Sequence, residues 1–411
     1  MKHLLATIAS LLGLVSACAM SPVSPPPDPV PGFNFDEALV PDYTLPEVLL
    51  CSDGTKVENN RQWEQKRRPE LLQLFENEMY GTAPDAPALR FETREAAGSA
   101  YGGKAIRKQV RIHYAKGQFI DLLLYIPTAA KQPPPVFLGL NFAGNHAINE
   151  DSLVFLPDTK RLRQDFTVEA RGAKAHRWDV DRILDHGFAL ATFCLEDVAP
   201  DAPYRKGALE VWPKYKWKCI AAWAWGLSRA MDYLEQEPAI DSKRVAVMGH
   251  SRLGKAALWA GAKDTRFAMV VSNESGCSGA ALARRRFGET LGYLNRVRYY
   301  WFANRFQYYN DYEEDLPFDQ HELLALIAPR PLYVASASED VWSDPLGEFL
   351  SLAAASPAYE LYGYSGFRSF ERPRIYKPMR RGKCGYHIRD GKHAVTSYDW
   401  EQFLTFAAQK I

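Results

Sequence analysis

The stretch RVAVMGHSRLGKAALWAGA, residues 244–262, joins a strand-like segment to a helix-like segment through a turn that contains Ser251. The β-branched residues before the turn predict a buried strand, and the alanine-rich residues after it predict a helix. A serine on a sharp strand-to-helix turn exposes its hydroxyl, as a nucleophile requires. Serine is also a common helix cap. The residues elsewhere in the chain must therefore decide between the two roles.

Strand-like segments alternate with helix-like segments along most of the chain. The predicted strands are 109–115, 119–127, 135–143, 188–195, 244–249, 267–273 and 331–337, and the predicted helices include 68–81, 218–238 and 399–410. This alternation indicates an α/β fold with a mostly parallel central sheet and helices on both faces. The short turn AKGQ between the first two strands predicts an antiparallel hairpin at the N-terminal side.

Composition narrows the function classes. The chain has 411 residues, of which 47% are hydrophobic and 24% charged, so a large core is expected. A net charge of +1 argues against nucleic-acid binding and against membrane binding driven by bulk charge. Aromatic residues make up 13% of the chain, which fits either a sugar-stacking surface or simply a large core.

The first 45 residues predict export. Lys2 followed by the apolar run Leu4 to Val15 is typical of a signal peptide, residues 1–17, and Cys18 stands where a lipoprotein is lipidated. The alternative is ordinary cleavage near Ala17 or Ala19. A proline-rich linker, 18–45, precedes a single catalytic domain, 46–411. We expect a periplasmic or outer-membrane lipoprotein, or a secreted protein, whose only membrane contact is the lipid anchor.

Catalytic partners for Ser251 follow in the order expected of an α/β-hydrolase, with the nucleophile first, then the acid and then the histidine. His393 lies in a polar loop before the final helix, where the base should be, whereas His387 lies in a strand-like run and is expected to pack. Two carboxylates compete as the acid. Glu274 follows one strand and Asp340 follows the next, and either or both could hold the histidine.

Several separated motifs resemble the bacterial branch of the glucuronoyl esterases, carbohydrate esterase family 15. They are GHSRLGK (249–255), SNESGCSGAALARRRFGET (272–290), LPFDQHELLALIAPRPLYVASASEDVWSDPLGEF (316–349) and GKH (391–393). The resemblance extends from about residue 45 to the C-terminus. It implies an α/β-hydrolase fold and a serine mechanism without metal or cofactor. The implied substrates are esters between 4-O-methyl-glucuronoyl groups of glucuronoxylan and lignin alcohols in plant cell walls.

The resemblance also assigns roles to matching residues. Ser251 resembles the nucleophile, His393 the base and Arg252 the arginine that stabilises the oxyanion. Fungal members use a glutamate that matches Glu274, many bacterial members use an acid that matches Asp340, and this chain carries both. Three residues resemble those that bind the uronate sugar, namely Lys255, Glu289 and Trp342.

Further expectations complete the sequence-based account. The loop after the third predicted strand, 139–148, offers Asn141, Gly144 and Asn145 to the oxyanion site or to the pocket floor. The odd number of cysteines after Cys18 leaves at least one thiol free. We expect a monomer. The alternatives are an acetyl-xylan or other carbohydrate esterase of the same fold, and a lipoprotein that binds polysaccharide without turnover.

Overall fold

A single ten-stranded sheet forms the centre of the protein. The computed structural model describes residues 32–157 and 167–411. The strands are β1 Arg90–Ala100, β2 Ala105–Ala115, β3 Gln118–Pro127, β4 Val136–Asn141, β5 Ala189–Cys194, β6 Val245–His250, β7 Met269–Asn273, β8 Leu332–Ala337, β9 Met379–Arg381 and β10 Cys384–Arg389. They lie in the order β1-β2-β3-β5-β4-β6-β7-β8-β10-β9. The neighbours from β5 to β10 are parallel, while the pairs at the two edges are antiparallel.

Helices cover both faces of this sheet. They are α1 Asn60–Gln62, α2 Arg68–Phe75, α3 Val180–Asp185, α4 Ala208–Val211, α5 Cys219–Leu234, α6 Arg252–Lys263, α7 Leu291–Val297, α8 Gln320–Ala325, α9 Pro345–Ala354, α10 Ser356–Glu360 and α11 Ser397–Lys410. The sheet has a hydrophobic core on each face, and alternate residues of β6 point into the two cores. Val245 and Val247 pack with α5 and α6, whereas Ala246 and Met248 pack with α3 and α11. The predicted arrangement, a mostly parallel sheet with helices on both faces, is therefore present as a three-layer sandwich.

All seven predicted strands and all three predicted helices are present, with ends shifted by a few residues. The predicted hairpin is formed by β2 and β3, which pair antiparallel across a turn in which Gly117 has a φ of +68°. Strands β1 and β9 were not predicted, whereas β10 is the strand-like run that contains His387. Strand β1 lies at the sheet edge with mostly exposed or half-buried side chains, so it lacks an apolar signal. Strand β9 has only three residues, too few for a recognisable pattern.

The chain packs against the domain earlier than the predicted boundary at residue 46. The ring of Phe33 lies 4.8 Å from that of Trp342, and Glu37 forms an ion pair of 2.6 Å with Arg285. Aromatic partners on the domain surface thus fix the last part of the predicted linker. The predicted signal peptide and Cys18 lie outside the described residues. Within 32–157 and 167–411, the helices are too short or too polar to cross a bilayer.

The five cysteines of the described residues are all buried and unpaired: Cys51, Cys194, Cys219, Cys277 and Cys384. They fill the core as small apolar groups.

The parallel arrangement determines where functional residues gather. Strands β6, β7, β8 and β10 are neighbours, and their carboxyl ends meet at one edge of the sheet. Ser251, Glu274, Asp340 and His393 each follow one of these four strands within four residues. This edge is where α/β sheets usually bind their ligands.

Candidate active site

Ser251 occupies a strained turn between β6 and α6. Its φ of 59° and ψ of −131° are unusual for a residue with a side chain. The turn is held by the Ser251 N–H, which donates to the carbonyl of Asn273 at 2.9 Å. Gly249 is required because a Cβ there would lie 1.9 Å from the carbonyl oxygen of Leu253. Gly254 is required because a Cβ at this position would lie 2.9 Å from the Cβ of Ser275. The late glycine of GHSRLGK therefore permits close packing of α6 against the loop after β7.

His393 contacts both candidate acids through one nitrogen. Its Nδ1 lies 2.7 Å from Oδ2 of Asp340 and 3.1 Å from Oε2 of Glu274. Both carboxylates are buried, whereas the imidazole is partly exposed. Because both acids reach Nδ1, the other ring nitrogen is left for the substrate side. The sequence left open whether Asp340 or Glu274 contacts the histidine, and in the structure both contact Nδ1 of His393.

The two carboxylates change the proton affinity of the base. Burial on its own lowers the pKa of His393, but the hydrogen bonds to Asp340 and Glu274 and their charges outweigh it and raise the pKa to about 9. Burial raises the pKa of Glu274 to about 7, although His393 and the guanidinium of Arg389 oppose the rise. The protonated form of His393 is therefore well stabilised at this position.

A buried network behind Glu274 escaped the sequence analysis. Arg389, in β10, donates to Oε1 of Glu274 at 2.6 Å, to the carbonyl of Ala394 at 2.8 Å and to Oδ2 of Asp399 at 2.9 Å. Nε2 of His387 also contacts Oδ1 of Asp399 at 2.8 Å. The side chain of His387 is buried, so it packs in the core as predicted. A lone arginine in a strand gave no signal of this role, because its partners are distant in sequence.

Arg252 is held in place by a residue that the sequence analysis missed. Its guanidinium pairs with Asp201, whose other oxygen accepts from the indole N–H of Trp301 at 2.7 Å. The same guanidinium lies 5.3 Å from the ring centres of Phe142 and Trp301. A guanidinium that contacts two aromatic rings and one fixed acid is restricted to few orientations. Arg252 therefore stands beside Ser251 in a defined position.

The amide side chains predicted from the loop after β4 bind each other and the neighbouring strands. Asn141 donates to Oδ1 of Asn145 at 2.8 Å, and Asn145 donates to the carbonyl of Asp121 at 2.7 Å. Asn141 and Gly144 also line a small cavity with Arg177 and other residues. The amide nitrogens of Asn141 and Asn145 therefore hold the shape of this loop.

The three predicted sugar-binding residues form one cluster. Lys255 lies one helical turn after Ser251, and its buried ammonium donates to the carbonyls of Ser275 and Cys277 at 2.5 Å each. Burial lowers the pKa of Lys255, while the charge of Glu289 opposes this. Glu289 donates its backbone N–H to the carbonyl of Trp342 at 2.9 Å and accepts a side-chain hydrogen bond from the same residue.

Trp342 is partly exposed and supported by other aromatic rings. Tyr293 meets it edge-on with ring centres 5.5 Å apart, and Phe33 lies 4.8 Å away. These contacts fix the plane of the indole. A fixed, partly exposed indole two residues after Asp340 offers a flat face close to the catalytic cluster.

One group of side chains has the spacing that a metal site would need. The ligand atoms of His250, Glu274 and His393 lie within 4.8 Å of one another. The facing atoms of Glu274 and His393 already bind each other, and Glu274 is neutralised by Arg389. The facing atoms of Glu274 and His393 are therefore already engaged with each other.

Comparisons with known proteins show which family the chain resembles. Residues 171–363 match a family model described as glucuronyl esterase of fungi, a segment that includes Ser251 and both acids. A carbohydrate esterase from an unknown prokaryotic organism is 46% identical over 92% of this chain and 91% of its own length. The chain belongs to the glucuronoyl esterase family.

Solved structures support the same assignment. This esterase is similar to a promiscuous CE15 esterase from a marine bacterial metagenome, with 46% identity, a TM-score of 0.86 and coverage of 92% of this chain and 100% of that one. The glucuronoyl esterase from Solibacter usitatus gives 46% identity and a TM-score of 0.86, with coverage of 90% and 99%. The predicted α/β-hydrolase fold and the predicted esterase class are thereby confirmed.

Proposed function

We propose that this esterase hydrolyses esters of glucuronic acid and 4-O-methyl-glucuronic acid, such as those that link glucuronoxylan to lignin alcohols. The observation that carries the proposal is the cluster of Lys255, Glu289 and Trp342 beside Ser251. An ammonium, a carboxylate and an indole face match the hydroxyls and the ring face of a sugar. An acetyl ester has no ring to occupy such a cluster.

The reaction that we propose is a two-step acyl transfer. Ser251 attacks the ester carbonyl while His393 takes its proton, and Arg252 with backbone N–H groups stabilises the oxyanion. The alcohol leaves with the proton from His393. Water then repeats the sequence on the acyl-enzyme and releases the uronic acid.

Asp340 and Glu274 jointly orient the base in this scheme. Each accepts from the same Nδ1–H, which fixes the tautomer of His393 and leaves the other nitrogen free to receive the serine proton. Two buried carboxylates around one imidazole also stabilise its cation more than a single carboxylate would.

Steady-state hydrolysis of benzyl glucuronate and benzyl acetate tests the substrate assignment. We expect a kcat/KM for the glucuronate ester that exceeds that for the acetate ester, and loss of both activities in Ser251→Ala. A preference for acetate would instead identify a general carbohydrate esterase of the same fold. Binding of glucuronoxylan without cleavage of either ester would indicate a polysaccharide-binding protein.

The cellular location is a separate proposal that rests on the sequence. Lys2, the apolar run Leu4 to Val15 and Cys18 support a lipid-anchored, exported enzyme. Radiolabelled palmitate should be incorporated by the wild-type chain expressed in a bacterial host and not by Cys18→Ser. Absence of label from both proteins would argue for ordinary signal cleavage, and equal labelling of both would place the lipid on a residue other than Cys18; either result would refute the Cys18 anchor.

A further inference from the structure

Three of the catalytic candidates have a sequence neighbour that takes part in one hydrogen-bonded chain. His250 precedes Ser251, Asn273 precedes Glu274, and Ala394 follows His393. Strands β6 and β7 place His250 directly beside Asn273. The side-chain amide of Asn273 lies 2.9 Å from Nδ1 of His250 and donates to the carbonyl of Ala394 at 3.1 Å.

Backbone hydrogen bonds extend this chain to the turn of Ser251 and to the loop of His393. The carbonyl of Asn273 accepts from the N–H of Ser251 at 2.9 Å, which secures the strained turn. The N–H of Ala394 donates to Oε2 of Glu274 at 2.9 Å, which secures the loop of the base. Asn273 is therefore the point at which the nucleophile turn and the histidine loop are joined.

The ring of His250 also supports the ring of His393 directly. Their centres are 4.4 Å apart, with an angle of 36° between the planes, and His250 is only 5% exposed. Burial, followed by the charge of His393, lowers the pKa of His250 well below its ordinary range. Because an amide nitrogen only donates, Nδ1 of His250 accepts in its contact with Asn273.

We infer that His250 and Asn273 form a clasp that positions the general base, with His250 acting through its hydrogen bond to Asn273 and its packing against His393. The inference rests on the proposed function, in which His393 is the base. His250 itself does not exchange protons with the substrate, and it is a positioning residue. The clasp joins three loops of the site without any covalent link.

Three variants of His250 separate the hydrogen bond from the packing. His250→Ala removes both, His250→Phe keeps a ring without the acceptor, and His250→Asn keeps an acceptor near the position of Nδ1. We expect His250→Ala to lower kcat on benzyl glucuronate about 10- to 100-fold with little change in KM, because small displacements of a catalytic group cost up to about 100-fold. His250→Asn should recover most of this loss, and His250→Phe should not. Asn273→Leu, which removes the amide at similar volume, should behave like His250→Phe.

The downfield proton resonance of His393 Nδ1–H reports the position of the base independently of turnover. We expect it to broaden or shift in His250→Ala and to return in His250→Asn. His321→Asn, at a buried histidine in α8 whose Nε2 contacts the carbonyl of Pro46, is the matched control and should leave both kcat and the resonance unchanged. Thermal unfolding of each variant identifies any general loss of folding.

The outcomes are distinguishable. Wild-type kcat in both His250→Ala and Asn273→Leu would overturn the clasp, and so would an equal loss in all three His250 variants with an unchanged resonance. His393→Ala tests the proposed function separately. If His393→Ala retained wild-type activity, the proposed mechanism itself would fail, whatever the His250 variants showed.

Discussion

The shared contact of Asp340 and Glu274 with His393 leads to a specific prediction for single and double substitutions. Asp340→Asn and Glu274→Gln each remove one charged acceptor and leave the other within reach of Nδ1, at 3.1 Å or 2.7 Å. Neither single change should therefore inactivate the enzyme. Asp340→Asn should be the more damaging of the two because Asp340 makes the shorter contact.

The expected magnitude follows from the value of one charged hydrogen bond. Such a bond contributes about 1.5–3 kcal/mol, and about 1.4 kcal/mol corresponds to a tenfold change in rate. Each single variant should therefore lose about 10- to 100-fold in kcat. The double variant leaves the imidazole with no carboxylate, and its loss should approach the roughly 10⁴-fold seen when a triad acid is neutralised.

Steady-state kinetics on benzyl glucuronate at several pH values measure these losses, with thermal unfolding as a check on folding. Glu339→Gln is the matched control, because Glu339 is an exposed carboxylate next to Asp340 in the same loop. A loss of about 10⁴-fold in one single variant, with the other unaffected, would show that one acid acts alone and would refute the sharing.

Three further predictions follow from the site. Arg252→Ala removes an oxyanion donor and should lower kcat by about 10²- to 10³-fold. Asp201→Asn should lower kcat by less, because Asp201 only orients Arg252. Equal losses in the two variants would contradict this order. The pH profile of kcat/KM should rise through an apparent pKa above 6.5 and towards about 9, since His393 must be neutral to act and its carboxylates favour its cation. Asp340→Asn should shift the rise of kcat/KM to lower pH. An unchanged rise would show that the carboxylate of Asp340 does not raise the pKa of His393. Glu289→Gln should raise KM for benzyl glucuronate several-fold and leave benzyl acetate unaffected, whereas parallel effects on both esters would remove Glu289 from sugar binding.

The sequence predicted a catalytic residue wherever a reactive side chain stands next to a recognisable strand or helix pattern. The turn at Ser251 could be predicted because glycines, a β-branched run and a helical run surround it within one short segment. His393 and the two acids could be proposed because the chain order of the fold places them after successive strands. The sequence alone could not choose between Asp340 and Glu274, since their common contact with one nitrogen depends on loop geometry.

The supporting residues were beyond the reach of sequence reasoning. Asp201 reaches Arg252 across 51 positions, and Arg389 reaches Glu274 across 115. No periodicity or spacing marks such pairs, because only the assembled sheet edge brings them together. The early start of the packed chain at Phe33 was missed for the same reason, since its partner Trp342 is 309 residues away.

Detection of the covalent intermediate tests the central claim most directly. Wild-type enzyme mixed with methyl glucuronate and quenched within milliseconds should yield, by mass spectrometry, a peptide that carries a glucuronoyl group on Ser251, and Ser251→Ala should yield none. Methyl acetate should give a much lower occupancy under the same conditions. A wild-type enzyme that cleaves the glucuronate ester with no modification of Ser251, or a Ser251→Ala variant that remains active, would contradict the account.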